Sequence, residues 1–320
     1  MFFSVIIPVY NRPEELRELL SSLSRQTQSN FEVIVVEDGS ELKAEDVCVS
    51  FQKDLRIQYV FQKNSGQGFA RNKGMELAKG DFFILFDSDV VVPDEYCYHV
   101  EKAIKERNLD AFGGPDAAAE DFSILQKAMD FAMTSFWTTG GIRGKMKDPA
   151  KYQARGFNMG ISKEVFEKTK GFLDPNQGED IEWSIRIKKA GFKLELVQDA
   201  FVFHKRKNTL WSFAKQAFSF GRNRINVSRF HPDAIQLVHL LPSLFSVFLI
   251  SLILSGILGW KLFEAQLLVF SFWVLAVFLS ATFKTKSLLA GFVSIVTSIL
   301  QLSTYGMGFI WELLVKTFKA

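Results

Sequence analysis

The chain has 320 residues, a formal net charge of +3 and two cysteines. That length exceeds the commonest size of a single domain and allows a substantial core. So small a charge makes no case for a nucleic-acid partner, and two cysteines give neither a disulfide framework nor a metal knuckle, leaving Cys48 and Cys97 as reduced core thiols.

Met1-Phe2-Phe3 runs directly into a strand without a basic leader, so no signal peptide is expected and the N-terminal portion starts in the cytosol. Residues 4–9 read as a buried strand. Asn11 is placed as the N-cap of the next helix, with Pro13 in its first turn, Glu14 three residues on, and a stripe of Leu16, Leu19, Leu20 and Leu23. Residues 31–36 form a second strand ending at Glu37-Asp38-Gly39-Ser40. A helix from about Ala44, a third strand at 57–61 and a helix at 69–78 stopped by Gly80 come next. Strands alternating with helices of this length predict right-handed βαβ units and a mostly parallel sheet flanked by helices.

The apolar run from Phe82 to Phe86 then stops on Asp87-Ser88-Asp89. Such a run reads as a strand covered on both faces, and in these sheets ligands bind at the strands' carboxyl ends. Two carboxylates that close repel unless a cation joins them, and a hard divalent metal shared with substrate phosphates suits them. The plainer alternative is a strand-ending Asx turn. Residues 93–144 are helical in tendency, broken at Gly113-Gly114 and Gly140-Gly141. Arg155-Gly156-Phe157-Asn158-Met159-Gly160 precedes a short helix, Gly178-Glu179-Asp180 opens another over 181–190, and short strands at 193–197 and 200–203 end near His204. Beyond Ile235 charges nearly vanish. Residues 237–259 and 265–283 each approach the roughly 20 residues that cross a bilayer. Residues 288–314 are a weaker third candidate, spanning or lying partly in the interface, because Gln301, Tyr305 and Glu312 interrupt them. Lys284 and Lys286 put the second loop on the cytosolic side.

Five pieces in order, Ser4-Val5-Ile6-Ile7-Pro8-Val9-Tyr10-Asn11, Val36-Glu37-Asp38-Gly39-Ser40, Ala70-Arg71-Asn72-Lys73-Gly74, Asp87-Ser88-Asp89 and Gly178-Glu179-Asp180, together resemble the inverting glycosyltransferase family 2. The resemblance implies an α/β fold of GT-A type, Rossmann-like, over residues 1–230, followed by a helical transmembrane region over 231–320 similar to that of bacterial members building polysaccharide or lipid-linked glycans. It also implies a divalent metal, Mn²⁺ or Mg²⁺, and a nucleotide-sugar donor, with UDP-linked the first expectation. Pro8, Tyr10 and Asn11 would wall the nucleotide pocket, and Asp38 would accept from nucleobase or ribose, its alternative being the start of a Gly-Ser turn. Arg71 would meet diphosphate or ribose. Asp89 would bind the metal, with Asp87 reaching ribose or a metal-bound water and His204 as a third metal or phosphate contact beside Lys205, Arg206 and Lys207. Asp180 would be the general base with Glu179 beside it; the other reading of Asp180 is the N-cap of its helix. Trp183 either stacks on an acceptor sugar or packs in the core. Gln216-Ala217-Phe218-Ser219-Phe220 lacks the Arg-Trp pair of processive members, which favours addition of one sugar or a few. Arg222 and Arg224 would contact a phosphate or simply flank a membrane face. The expected activity is transfer to a lipid-linked or growing glycan at the cytosolic membrane face. A polyprenyl-phosphate sugar transferase is the alternative, and a non-catalytic nucleotide-sugar-binding membrane protein a more distant one.

Overall fold

A computed structural model describes residues 1–117, 123–139, 152–174, 177–204 and 209–319. The elements in chain order are β1 (Phe3–Val9), α1 (Pro13–Leu23), β2 (Phe31–Asp38), α2 (Glu45–Ser50), β3 (Ile57–Gln62), α3 (Gln67–Leu77), β4 (Phe82–Phe86) and β5 (Val90–Val91). Next come α4 (Tyr96–Arg107), β6 (Ala111–Gly113), β7 (Asp116–Ala117), α5 (Ile124–Thr134), α6 (Phe136–Thr139), β8 (Asn158–Ser162), α7 (Lys163–Thr169) and α8 (Glu179–Lys189). The last are β9 (Leu194–Leu196), β10 (Val202–His204), α9 (Leu210–Phe230), α10 (Leu241–Ile257), α11 (Leu262–Thr285) and α12 (Leu288–Lys319). Two compact units result, Met1–Ala119 with Asp148–Lys205, and Glu120–Lys147 with Arg206–Ala320.

The first unit is built on a seven-stranded sheet in the order β3-β2-β1-β4-β8-β6-β9. Strands β1 to β4 are parallel, β8 runs antiparallel to β4 and β6, and β9 is parallel to β6. Alternation along the strands feeds two cores. Phe3, Val5, Ile7 and Val9 pack with the Leu16, Leu19, Leu20 and Leu23 stripe of α1, while Ile6, Ile34, Phe83 and Leu85 face Ala70, Met75, Trp183 and Ile187. Every residue of β1 and β4 is buried, so neither strand shows a polar face. A second sheet, β5-β10-β7, follows the end of β4 and sets His204 opposite Val90.

Several local expectations change. Helix α1 is preceded by Arg12 and has no side-chain cap; Asn11 sits in a left-handed turn at φ 54° and is not the N-cap. The stretch before the short helix, read without an element of its own, carries strand β8, and β6 and β7 interrupt the helical middle. Asn158-Met159-Gly160 has little β-branched character, and Gly160 is needed because the Phe112 ring occupies the space of a Cβ. Residues 140–141 lie outside the described residues. Trp183 is fully buried, donates from Nε1 to Thr169 Oγ1 at 2.7 Å and packs on Phe172, so it belongs to the core and not to a sugar platform. Cys48 and Cys97 are free and buried, and burial pushes both thiols up to about 12, leaving them inert.

In the second unit three helices are long and apolar enough to cross a membrane, Leu237–Ile257, Leu262–Thr285 and Leu288–Thr317. Gln266 of α11 donates to Ser251 Oγ and accepts from Ser255 Oγ, joining α10 and α11 by side-chain hydrogen bonds. Gln216–Phe220 lies inside α9, whose first turn is capped by Thr209.

Candidate active site

The sheet reverses its winding between β1 and β4, because β2 and β3 add on one side of β1 and β8 adds beyond β4. In doubly wound sheets that reversal opens a crevice at the carboxyl ends of the two strands. Pairing of β1 with β4 stops at Ile6↔Leu85, while β1 continues beside β2 as far as Val9↔Glu37. Pro8, with no N–H to donate, falls past that last β1–β4 pair, where a missing donor disturbs nothing. Pro8 is buried, Tyr10 half exposed beyond it, and Asp87-Ser88-Asp89 leaves β4 on the other side.

Arg12 and Asp89 close the gap: Arg12 Nη1 donates to Asp89 Oδ2 at 2.6 Å. Asn11 is committed elsewhere. Its side-chain oxygen accepts from the amides of Glu41 and Leu42 at 2.9 and 3.0 Å, and its own N–H donates to Ser40 Oγ. Through that oxygen it ties the end of β1 to the loop after β2. Ser40 in turn donates to Glu37, which is fully buried and also accepts from the Ala44 amide at 2.7 Å.

Asp38, at the end of β2, is also engaged. Oδ1 accepts from Gln62 Nε2 at 2.8 Å and from the Ser65 amide at 2.9 Å, and Oδ2 from the Gly66 amide at 2.8 Å. The carboxylate therefore sits at the amino end of α3 and orders the turn before it, a favourable place for negative charge. That is a structural task beside the expected ligand contact.

Arg71 lies under the crevice, only 1% exposed. Its Nη2 donates to Asp87 Oδ1, Nη1 stands 3.5 Å from Glu179 Oε1, and its plane lies over the Phe172 ring. The Gly156 backbone covers the guanidinium so closely that a Cβ there would collide with it. Arg71 thus joins the end of β4 to the start of α8 on one guanidinium, little of which is open to a diphosphate or ribose. Nε and Nη1 make no hydrogen bond among the described residues.

Helix α8 opens at Gly178, whose φ of 83° suits glycine, so Asp180 is a first-turn residue and not the N-cap. Asp180 Oδ1 accepts from the Ile181 amide at 2.7 Å, and Oδ2 faces the Gly156 amide at 3.4 Å. It is partly exposed, whereas Glu179 is buried against Arg71 and accepts from Gln67 Nε2 at 2.9 Å. Burial first, and the Asp180 carboxylate second, push Glu179 from 4.5 up to about 7 against the pull of Arg71. The folded state thus prefers Glu179 protonated, so this group's contribution to stability is present at low pH and lost as pH rises through about 7. A rise of this size corresponds to about 3 kcal/mol. Glu179→Gln is expected to flatten the fall in unfolding midpoint between pH 5 and 8, as read by melting of the protein in detergent; an unchanged pH slope would contradict it.

The donor set of Asp87 and Asp89 is hard oxygen, which fits Mg²⁺ or Mn²⁺. Among the described residues no group of three or more His, Cys, Asp or Glu side chains converges to hold an ion. The protein would supply part of a coordination sphere, and substrate oxygens and water the rest. The backbone register brings His204 beside Val90, one residue from Asp89; its side chain, and Lys205, Arg206 and Lys207, lie outside the described residues.

Arg12, Gln67 and Gly156 were not anticipated. Arg12 directly follows Tyr10-Asn11 and Gln67 opens α3 just before Ala70-Arg71, so both were adjacent to motifs, but only the fold pairs them with Asp89 and Glu179. The second unit holds Arg222 by Glu312, through an Nε hydrogen bond of 2.7 Å, which gives that arginine a protein partner.

Comparison with known proteins follows the same lines. The chain is 40% identical over 95 residues to the putative glycosyltransferase EpsH of Bacillus subtilis, a stretch covering 29% of this chain and 28% of that protein. It is 25% identical over 234 residues to the glycosyltransferase GlyG of Streptococcus pneumoniae, covering 70% of this chain and 77% of that one. The fold is similar to that of the mannosyltransferase PcManGT from Pyrobaculum calidifontis, solved with GDP-Man and Mn²⁺, with a TM-score of 0.67 at 17% identity over 93% of this chain and 86% of that one. S. aureus TarS, solved over residues 1–349 with UDP-GlcNAc, is also similar, with a TM-score of 0.50 at 18% identity over 98% of this chain and 92% of that one. The sequence model of glycosyl transferase family 2 matches residues 4–170, more than half of the chain and the stretch carrying β1 to α7. With its GT-A-like sheet and its acidic crevice at the β1–β4 switch point, the chain belongs to glycosyltransferase family 2.

Proposed function

We propose that this glycosyltransferase moves a sugar, with inversion, from a nucleotide-sugar donor to a lipid-linked or growing glycan at the cytosolic face of a membrane. The observation that carries the proposal is the buried Arg71, which holds Asp87 and Glu179 on one guanidinium and so turns the end of β4 and the start of α8 toward the same crevice. Tyr10 and the Asp38-ordered turn would border the nucleotide. Asp89 and Asp87 would hold a divalent metal, which supplies neutralisation of charge developing on the leaving diphosphate. Arg12, already beside Asp89 and half exposed, adds a second positive group there. Asp180 would take the proton from the acceptor hydroxyl as that oxygen attacks the anomeric carbon from the face opposite the diphosphate. The solved neighbours hold UDP-GlcNAc or GDP-Man, and UDP-linked sugars are the first donors to try. The apolar helices support a membrane-associated enzyme, where such acceptors reside.

Asp89→Ala is expected to weaken metal-dependent donor binding by about a hundredfold, roughly 3 kcal/mol. Calorimetry with UDP- and GDP-sugars, with Mn²⁺ and then with chelator, checks this. Full transfer activity in the variant would remove the site assignment.

A further inference from the structure

We infer that α12 does not cross the membrane but lies along it, its outer face in the headgroup–acyl boundary on the side from which the first span departs. Helices α10 and α11 form a hairpin whose foot is the start of α10 and the end of α11. Gly291 of α12 lies against Thr282 and Phe278, near the end of α11, and the Phe278 and Phe292 rings are 4.6 Å apart. Fifteen residues further, about 22 Å along a helix, Gly306 lies against Pro242 and Ser246, and Ser303 O accepts from Ser246 Oγ at 3.4 Å. Pro242 is the second residue of α10. A helix running up the hairpin would have left the foot by then. This one is still there, so it runs across the foot.

The far half of α12 gives a second, independent argument. Glu312 is buried and accepts from Arg222 Nε and Arg229 Nη2, each at 2.7 Å, while Lys316 Nζ donates to Ser228 Oγ at 3.2 Å. Gly221 and Gly308 are the close-approach points of α9 on α12. Helix α9 precedes the first span and therefore stays on the near side. Glu312 is 24 residues beyond Leu288, about 36 Å of helix, more than the ~30 Å hydrocarbon thickness. In a spanning α12 that carboxylate would emerge on the opposite side from both arginines. No side chain bridges that distance.

The surface of α12 fits the boundary. Leu289, Phe292, Val296, Met307, Ile310 and Leu314 are exposed at helical spacing along one face, whereas Ser294, Thr297, Ser298, Gln301 and Glu312 are buried on the other. Thr297 Oγ1 reaches the Ala128 carbonyl of α5, and α5 and α9 carry charges that a spanning partner would drag into lipid. Lys284, Lys286 and Lys316 flank the two ends of α12, and a cytosolic near side matches their charge. The occupant of the exposed face is the lipid surface beside the hairpin, continuous with the lipid around α10 and α11.

Two measurements on the full chain test this. Single cysteines replacing Lys53, Trp260 and Thr317 are probed with an impermeant maleimide in intact and permeabilised cells, the native thiols being buried. Lys53→Cys and Thr317→Cys should share one protection pattern, with Trp260→Cys opposite. Thr317→Cys labelling together with Trp260→Cys, or all three labelling alike, overturns the inference. Fluorophores at Leu289, Val296, Met307 and Leu314, in vesicles with nitroxides at set depths, should then be quenched within about twofold of one another at one shallow depth. A maximum at mid-helix would mean a span, and no quenching at any position would mean that protein covers the face; either result overturns it.

Discussion

Asp180→Asn is expected to lower kcat by about 10³-fold, within the usual range for removing a general base, with little change in donor affinity. The substitution keeps the shape. Its side-chain oxygen can still accept from the Ile181 amide, and the contact with the Gly156 amide at 3.4 Å is too long to contribute much. What disappears is the ability to take a proton. Glu179 is the competing base, since its carboxyl is pushed up to about 7. Its position argues against that role: it is buried under Arg71 and receives Gln67, whereas Asp180 is partly open. A steady-state comparison of Asp180→Asn with Glu179→Gln separates the two. An active Asp180→Asn beside an inactive Glu179→Gln would reverse the assignment. An acceptor that is already an anionic phosphate would also tolerate Asp180→Asn, and the mass of the product, glycosidic or phosphodiester-linked, distinguishes that case.

The sequence was most readable where a single periodicity ruled. The Leu16 to Leu23 stripe, the apolar β4 run and the α10 and α11 segments all have one dominant signal, and each element was found where expected. Reading failed at β6, β7 and β8. These strands are two to five residues long and rich in Gly and small residues, so neither period 2 nor β-branching marks them. Their place is set by neighbours, as when Phe112 fills the space over Gly160. Polar residues at the site were recognised by type but not by task. Asn11, Asp38 and Arg71 were assigned to a ligand, and the fold gives each a protein partner as well: backbone amides for the first two, and two carboxylates for the third. Such assignments depend on contacts between residues at least 16 apart in sequence, which no local pattern records. For α12, composition left a span and an interfacial helix both open, and its contacts with α9 and the hairpin foot are what carry the inference of the second.

Arg71→Met should be the most damaging single change in the first unit, costing about 3–5 kcal/mol at pH 8, as expected for removing one partner of a buried ion network. Arg71 is 1% exposed between Asp87 and Glu179, and methionine fills much of the volume without the charge. The cost should depend on pH in a definite direction. Arg71 pulls the Glu179 carboxyl down, so without it that group titrates still higher and remains neutral across the neutral range. The variant is therefore less impaired at pH 6, where Glu179 is already largely protonated in the parent, than at pH 8, where the parent's Glu179 is ionised and paired. In a Glu179→Gln background the loss caused by Arg71→Met should shrink at pH 8 and stay almost unchanged at pH 6, a coupling that melting curves of the parent, the two single variants and the double variant measure. Equal losses at both pH values, with the same loss in the Glu179→Gln background, would mean that Arg71 contributes by packing on Phe172 alone. Activity would then survive in the folded fraction, whereas loss of the Asp87–Arg71–Glu179 link should lower kcat even there, because the ends of β4 and α8 would no longer be held on one group.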